Sequence, residues 1–193
     1  KAEPTSDPMT MFDIAPFADG AAAVILTQPG RLPERYIQPL VRITGSSLVT
    51  DRLAIHDRTD PLAFDAAKRS VERACRQAGM LPGDVDLFEL FDSYSIYAAL
   101  TLEAAGFAKP GEGCRLAQDD TLTREGQLPI ATFGGLKARG NPGGATGVYQ
   151  AVEATLQLRH QAGPNQVPAA RRALIQCLAG PASTAVAHIL EAA

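Results

Sequence analysis

The run from Gly134 to His160, GGLKARGNPGGATGVYQAVEATLQLRH, constrains this chain more than any other stretch. Its first fourteen residues hold six glycines, and beyond Gly147 the pattern turns helical, with Val148, Ala151, Val152, Thr155 and Leu156 on one stripe. Glycine lets main chain approach a ligand closely, and the first turn of a helix offers unpaired N–H groups at the positive end of its dipole. Such a run serves equally as a tight structural turn or as a cradle for an anion or a developing oxyanion. A nucleotide P-loop is excluded, because no lysine follows the glycines at the required place. The dinucleotide fingerprint fits poorly, because it needs a preceding strand, G-x-G-x-x-G spacing and a later ribose-binding acid.

With 193 residues, 46% of them apolar, the chain can build one medium core, or most of one plus a piece of another. A net charge of −3 gives no reason to expect nucleic acid as a partner. No apolar run approaches the roughly 18 residues of a membrane span, and no signal-peptide pattern is present. Cys75, Cys114 and Cys177 are odd in number and widely spaced, which argues against a disulfide framework or a zinc knuckle. No metal is expected, and a reducing cytoplasm is the default compartment. The first residue is Lys1 rather than Met, which leads us to expect a piece of something larger.

Along the chain, Ala21 to Leu26 is a small-residue and β-branched run suited to a buried strand. Pro29, Pro33 and Pro39 mark a linker and a domain boundary. From Leu40, LVRITGSSLVT reads as a strand broken by Gly45. Asp60-Pro61 resembles an N-cap and first helical position, opening a helix over about 62–79. Its stripe of Ala63, Ala66, Ala67, Ser70, Val71, Ala74, Cys75 and Ala78 is narrow enough to sit close against a sheet and places Cys75 in the core. Leu87 to Phe91 is a buried strand containing Glu89, a carboxylate that either orients a site or ties down neighbouring backbone. Asp92-Ser93-Tyr94-Ser95 then leads into an apolar helix, Ile96 to Ala105. Strand, polar turn and buried helix is where open α/β sheets place reactive groups. A loop at 107–128 carries Cys114. Pro129 to Phe133 reads as a short strand, and Arg172 to Leu178 with Ser183 to Leu190 as a hairpin. The expected class is α/β, in the order β-α-β-α-β-α-β-β, with a mixed five-stranded sheet and helices on both faces.

Gly134 to Gly147 resembles the GGL-x-x-x-G-H-P-x-G-A-T-G signature of the thiolase superfamily, with Asn141 standing where that family has its histidine. Glu89 to Tyr94, followed by Gly111-Glu112-Gly113, resembles the E-L-H-D-C-F and G-E-G sequences of sterol-carrier-protein-x thiolases and their archaeal relatives. Glu89 and Asp92 match; Phe91 replaces a histidine and Ser93 a cysteine. Cys177 lies where a C-x-G motif would supply an acid/base thiol, although the sequence here is Cys177-Leu178-Ala179. Residues 1–28 are similar to the stretch that closes the N-terminal thiolase domain. The resemblance therefore implies that 1–28 is the closing strand of that domain and 29–193 the C-terminal domain. It also implies partnership with the missing N-terminal half and a homodimer or higher oligomer.

The activity implied is that of an acyl-CoA C-acyltransferase of lipid metabolism, working by Claisen condensation or thiolytic cleavage, with coenzyme A thioester as substrate and no further cofactor. Candidate catalytic residues are Asn141, Cys177, Asp92, Ser93 and Tyr94; candidate substrate-facing residues are Gly134, Gly135, Gly140, Gly143 and Phe91. Asn141 can donate a hydrogen bond to an oxyanion but cannot accept a proton near neutral pH. A lost general base costs about 10² to 10⁴ in rate. Two other readings stay open: a non-catalytic CoA-binding or scaffold subunit, and a divergent retro-aldol lyase acting on acyl-CoA. In the lyase, Tyr94 or Tyr149 would move the proton, and a phenol with a pKa of about 10 needs a neighbour that lowers it.

Overall fold

The computed structural model describes residues 2–193. A four-stranded sheet runs through the chain in the order β3-β6-β5-β4, built from β3 (Val41–Thr50), β4 (Leu87–Glu89), β5 (Arg172–Ala179) and β6 (Thr184–Ala192). β5 and β6 form the expected antiparallel hairpin, turning at Gly180, whose φ of +58° suits glycine. β3 lies antiparallel to β6, and β4 parallel to β5. A separate two-stranded ribbon, β1 (Pro4–Ser6) and β2 (Met9–Thr10), precedes the sheet.

Helices cover both faces because the sheet's side chains alternate between them. Phe88, Leu174, Ala187 and Ile189 meet helix α1 (Asp65–Ala78) and helix α2 (Ser95–Ala104) on one side. Leu87, Ala173, Ile175 and Leu190 meet helix α4 (Thr146–Leu158) on the other. A short helix α3 (Gly135–Arg139) precedes α4. Within α1, Ala66, Ala67, Ser70, Val71, Ala74 and Cys75 are all buried, as their spacing predicts. Gly79 ends the helix in the left-handed conformation, its N–H donating to Arg76 O and Cys75 O. The small stripe brings α1 so close to β3 that a Cβ on Gly45 would overlap the carbonyl oxygen of Ala74. β3 also shifts register between Ile43 and Gly45, and the Ser46 N–H donates to Gln77 Oε1 at 2.8 Å. Gln176, fully buried in β5, pins both helical layers: its Nε2 donates to Ala67 O and Ser70 Oγ, while its main-chain carbonyl accepts from Gln150 Nε2 on α4.

Four expectations need correction. The sheet has four strands rather than five, because Pro129–Phe133 makes only a single bridge, Ile130 to Phe88, before the backbone turns at Ala131 with φ +41°. The order is therefore β-α-β-α-α-α-β-β. Ala21–Leu26 forms no strand and pairs with no sheet edge among the described residues, and Ile25 is 95% exposed. α1 starts at Asp65 with Phe64 as its N-cap residue. Asp60 instead closes a local turn by accepting from the Leu62 N–H.

Gly45→Ala is expected to destabilise the protein by about 1–3 kcal/mol, because α1 must back away from the sheet. Chemical denaturation read by far-UV circular dichroism measures this shift.

Candidate active site

The chemistry-bearing residues converge at the end of the sheet where β4 gives way to α2 and β5 turns into β6. A cleft of about 490 Å³ there is lined by Phe91, Ser93, Tyr94 and Tyr97 on one side, Asn141, Gly143 and Gly144 on a second, and Cys177 through Pro181 on a third. Segments far apart in sequence meet because β4 and β5 are parallel neighbours whose chain ends point the same way.

Asn141 is oriented by its surroundings. Its Oδ1 accepts from Gly143 N at 3.0 Å and from Thr146 Oγ1 at 3.4 Å. Those bonds turn the amide so that Nδ2, a pure donor, is left without a protein partner among the described residues. Cys177 lies against Gly147 in the first turn of α4, where a Cβ on that glycine would stand 3.3 Å from the Cys177 Cβ. Burial pushes the Cys177 thiol up to about 11, although backbone N–H groups of Leu178 and Gly147 pull the other way. Near neutral pH it is therefore a protonated thiol.

Tyr94 and Tyr97 stack in a tilted pair with ring centroids 5.2 Å apart. Burial, then the proximity of Tyr94, raises Tyr97, while Arg58 opposes the shift. Among the described residues no histidine, lysine, arginine, aspartate or glutamate lines the cleft. The wall thus presents donors (Asn141 Nδ2, a thiol, hydroxyls) and holds no side chain that readily accepts a proton near neutral pH. Such a surface polarises a carbonyl or holds an oxyanion.

Asp92 stands behind this surface. Its Oδ1 and Oδ2 accept from Leu136 N at 2.9 and 3.1 Å, capping α3. Burial raises its pKa, with those N–H groups opposing. Of the four glycines singled out from the sequence, only Gly143 lines the cleft. Gly134 is the N-cap residue of α3 with φ +91°, and Gly135 carries φ +60° where a Cβ would overlap the Asp92 carboxylate. Gly140, at φ +86°, lets the chain pass Ala18 closely. These three shape the loop and do not line the cleft. Tyr149 points elsewhere: the Arg139 guanidinium lies 5.0 Å from its ring centroid, and its hydroxyl faces Gly20.

Two features escaped sequence reasoning. One is Tyr97, in the first turn of α2, whose ring meets that of Tyr94, the residue that precedes the helix. The other is a buried charge cluster under the site. Glu89, 1% exposed, accepts from Thr132 N and Oγ1 at 3.4 Å. Arg139 pairs with Glu153, and Arg139 Nε and Glu153 Oε2 have no further partner among the described residues. Burial, reinforced by Glu153, pushes Glu89 from its ordinary 4.5 up to about 8, against the pull of the Thr132 N–H and Arg139. Among the described residues no group of three or more His, Cys, Asp or Glu side chains could hold a metal ion, and no helix is long and apolar enough to cross a membrane.

The raised Glu89 fixes the sign of a pH effect. The folded state holds this proton where the unfolded chain has lost it, so the stability it confers is complete below about 4.5 and is lost as pH rises to about 8. Glu89→Gln keeps the acceptor for Thr132 and removes the charge. Its advantage over the wild type is expected to grow across that window, reaching on the order of 5 kcal/mol by pH 9. Denaturation midpoints from pH 5 to 9 measure it.

Comparison with known proteins agrees with this architecture. The profile of the family described as "Thiolase C-terminal domain-like" matches residues 47–192. The chain is 40% identical over 186 residues to a protein named acetyl-CoA acetyltransferase from Methanothermobacter thermautotrophicus, covering 96% of this chain and 48% of that one. It is 35% identical over 172 residues to sterol carrier protein 2 from Bos taurus, covering 87% and 32%. The chain thus spans about half or less of the curated relatives it matches. Among solved structures, the Ltp2-ChsH2(DUF35) aldolase superposes with a TM-score of 0.82 at 20% identity, covering 99% of this chain and 49% of that one. A monomeric SCP2-thiolase like protein type 1 from Mycobacterium smegmatis gives 0.59 at 22% identity, covering 78% and 29%. At those identities the likeness is one of fold. The family match, the 40% relative and the resemblance around Asn141 and Glu89 agree, and the chain belongs to the thiolase C-terminal domain-like family.

Proposed function

We propose that this chain is the C-terminal portion of a thiolase-like acyl-CoA C-acyltransferase that forms or breaks a carbon–carbon bond next to a coenzyme A thioester. The observation that carries the reading is Asn141: its Oδ1 is held by Gly143 N and Thr146, so Nδ2 is free to donate in the cleft shared with Cys177. In thiolytic cleavage of a β-ketoacyl-CoA, the acyl group passes to a nucleophile supplied by the other half of the protein. The bond between the α and β carbons breaks, and its electron pair stays on the thioester as an enolate. Asn141 Nδ2 holds the enolate oxygen, and Cys177 gives its Sγ proton to the α carbon. The incoming CoA thiol returns a proton to Cys177 as its sulfur takes the acyl group. A thiol held near 11 suits the donor role in this direction better than the proton-abstracting role in condensation. On this reading the domain division falls near 29, the N-terminal half is an obligatory partner, the whole is a cytoplasmic homo-oligomer, and no cofactor beyond the CoA substrate takes part.

A second reading is favoured by the tyrosine pair. Tyr94 and Tyr97 line the same cleft, and an aldolase shares the fold. In retro-aldol cleavage of a β-hydroxyacyl-CoA, the hydroxyl proton passes to the Tyr97 oxygen while that phenol's own proton moves on to the α carbon, and the α–β bond breaks. A ketone or aldehyde leaves, and the thioester enolate takes a proton at its α carbon, with no net change of oxidation state.

Assays on the full-length protein separate the readings. With a β-ketoacyl-CoA and CoA, the first predicts release of two acyl-CoA products, abolished by Cys177→Ala and slowed about 10² to 10³-fold in kcat by Asn141→Ala. Tyr97→Phe leaves that turnover intact. Carbonyl release from a β-hydroxyacyl-CoA, lost in Tyr97→Phe and kept in Cys177→Ala, establishes the second instead. Tight CoA binding with neither turnover overturns both.

A further inference from the structure

The geometry points to Asp13 as a positioning residue: by bonding Ser95 and Thr10 it holds Ile14–Ala18 as a strap that fixes the Ser93–Tyr94 loop relative to the Asn141 loop. The idea that their spacing matters for turnover rests on the reading proposed above; the strap itself does not.

The two loops arise 44 or more residues apart, and the inner brace between them is Asp92 capping α3. On the outside, the strap makes main-chain bonds to both. Ile14 forms an antiparallel bridge with Tyr94, and Ala15 N donates to Ser93 O at 2.9 Å. Two residues on, Asn141 N donates to Pro16 O at 2.6 Å and Ala18 N to Asn141 O at 3.2 Å. Lys137 Nζ adds a bond to Ile14 O at 2.7 Å. Five residues of extended chain thus touch both sides of the cleft's polar wall.

What anchors the strap is one carboxylate. Asp13 Oδ2 accepts from Thr10 N and Thr10 Oγ1 at 2.8 and 2.9 Å, closing a capping box over the single turn Met11–Asp13. Asp13 Oδ1 accepts from Ser95 Oγ at 2.7 Å, and Ser95 is the first residue of α2, directly after Tyr94. Both oxygens are committed, and all three bonds favour the ionised form, the Thr10 N–H most strongly. The strap's own side chains add little to this: Ala15 is buried and Ile14 half-buried, but Pro16 is exposed and Phe17 is 93% exposed.

The test is amide hydrogen exchange on the full-length protein, paired with steady-state kinetics. In Asp13→Ala, exchange at Ala15, Ala18 and Asn141 is expected to rise about tenfold or more, with the amides of β5 unchanged. Ser95→Ala gives the same pattern, Ser95→Thr restores it, and the double variant exchanges no faster than Asp13→Ala alone. Where the enzyme turns over, kcat falls about tenfold with KM changed less than threefold. Unchanged exchange at Asn141 in Asp13→Ala overturns the proposal, as does a double variant whose effects add. So does a loss of kcat that Ser95→Thr leaves unrepaired. Exchange needs no substrate, so absence of turnover counts against the proposed reaction and leaves this inference to be decided by the amides.

Discussion

The contact between the Asp92 carboxylate and the first turn of α3 holds this molecule's polar wall together. β4 is only three residues long, and the chain leaves it straight into a turn, so the position of the glycine segment depends on what that turn can grip. Asp92 grips Leu136 N, and the grip is possible because Gly135 has no Cβ to occupy the same space. A positive φ at Gly134, Gly135 and Gly140 then folds the chain back so that Asn141 arrives opposite Cys177. The glycine-rich sequence is thus a requirement of backbone path more than of ligand contact.

That path leaves the protein with an unusual interior. Three carboxylates, Glu89, Asp92 and Glu153, surround the single guanidinium of Arg139, and burial raises the pKa of each of the three. Breaking a pair such as Arg139 with Glu153 would leave a charge stranded in low dielectric. The cleft in front of them is the reverse: neutral, donor-rich and walled by Phe91, Tyr94 and Tyr97. Charge is stored behind the site and withheld from its surface, which is how a pocket favours a transient oxyanion over a resident anion.

How much of this was legible in the sequence follows from range. Local patterns read well: the stripe of α1, its Gly79 stop, the β5–β6 hairpin and the buried strand around Leu87 are each specified within a few residues. The signature stretches located the cleft's side chains, because they record which segments meet. What failed was pairing. Ala21–Leu26 and Pro129–Phe133 have the composition of strands, yet composition cannot say whether a partner edge is within reach, and one forms no strand while the other stops after a bridge. α3 and the Ile14–Ala18 strap were invisible for the same reason. Both are held at main-chain atoms by residues more than forty positions away, α3 by the Asp92 carboxylate and the strap by the backbone of Ser93 and Asn141, and a main-chain atom leaves no trace in residue type.

β3 offers a last point. It is ten residues long and lies at the outer margin of the sheet, with β6 its single neighbour among the described residues. A row of free amides that long is a template on which another polypeptide can add itself. Here the row is interrupted twice, by the register shift at Ile43–Gly45 and by Gln77 occupying the Ser46 N–H. A foreign strand can match neither end to end, so the same irregularity that lets α1 nestle against the sheet also blunts fibril-like growth from its rim.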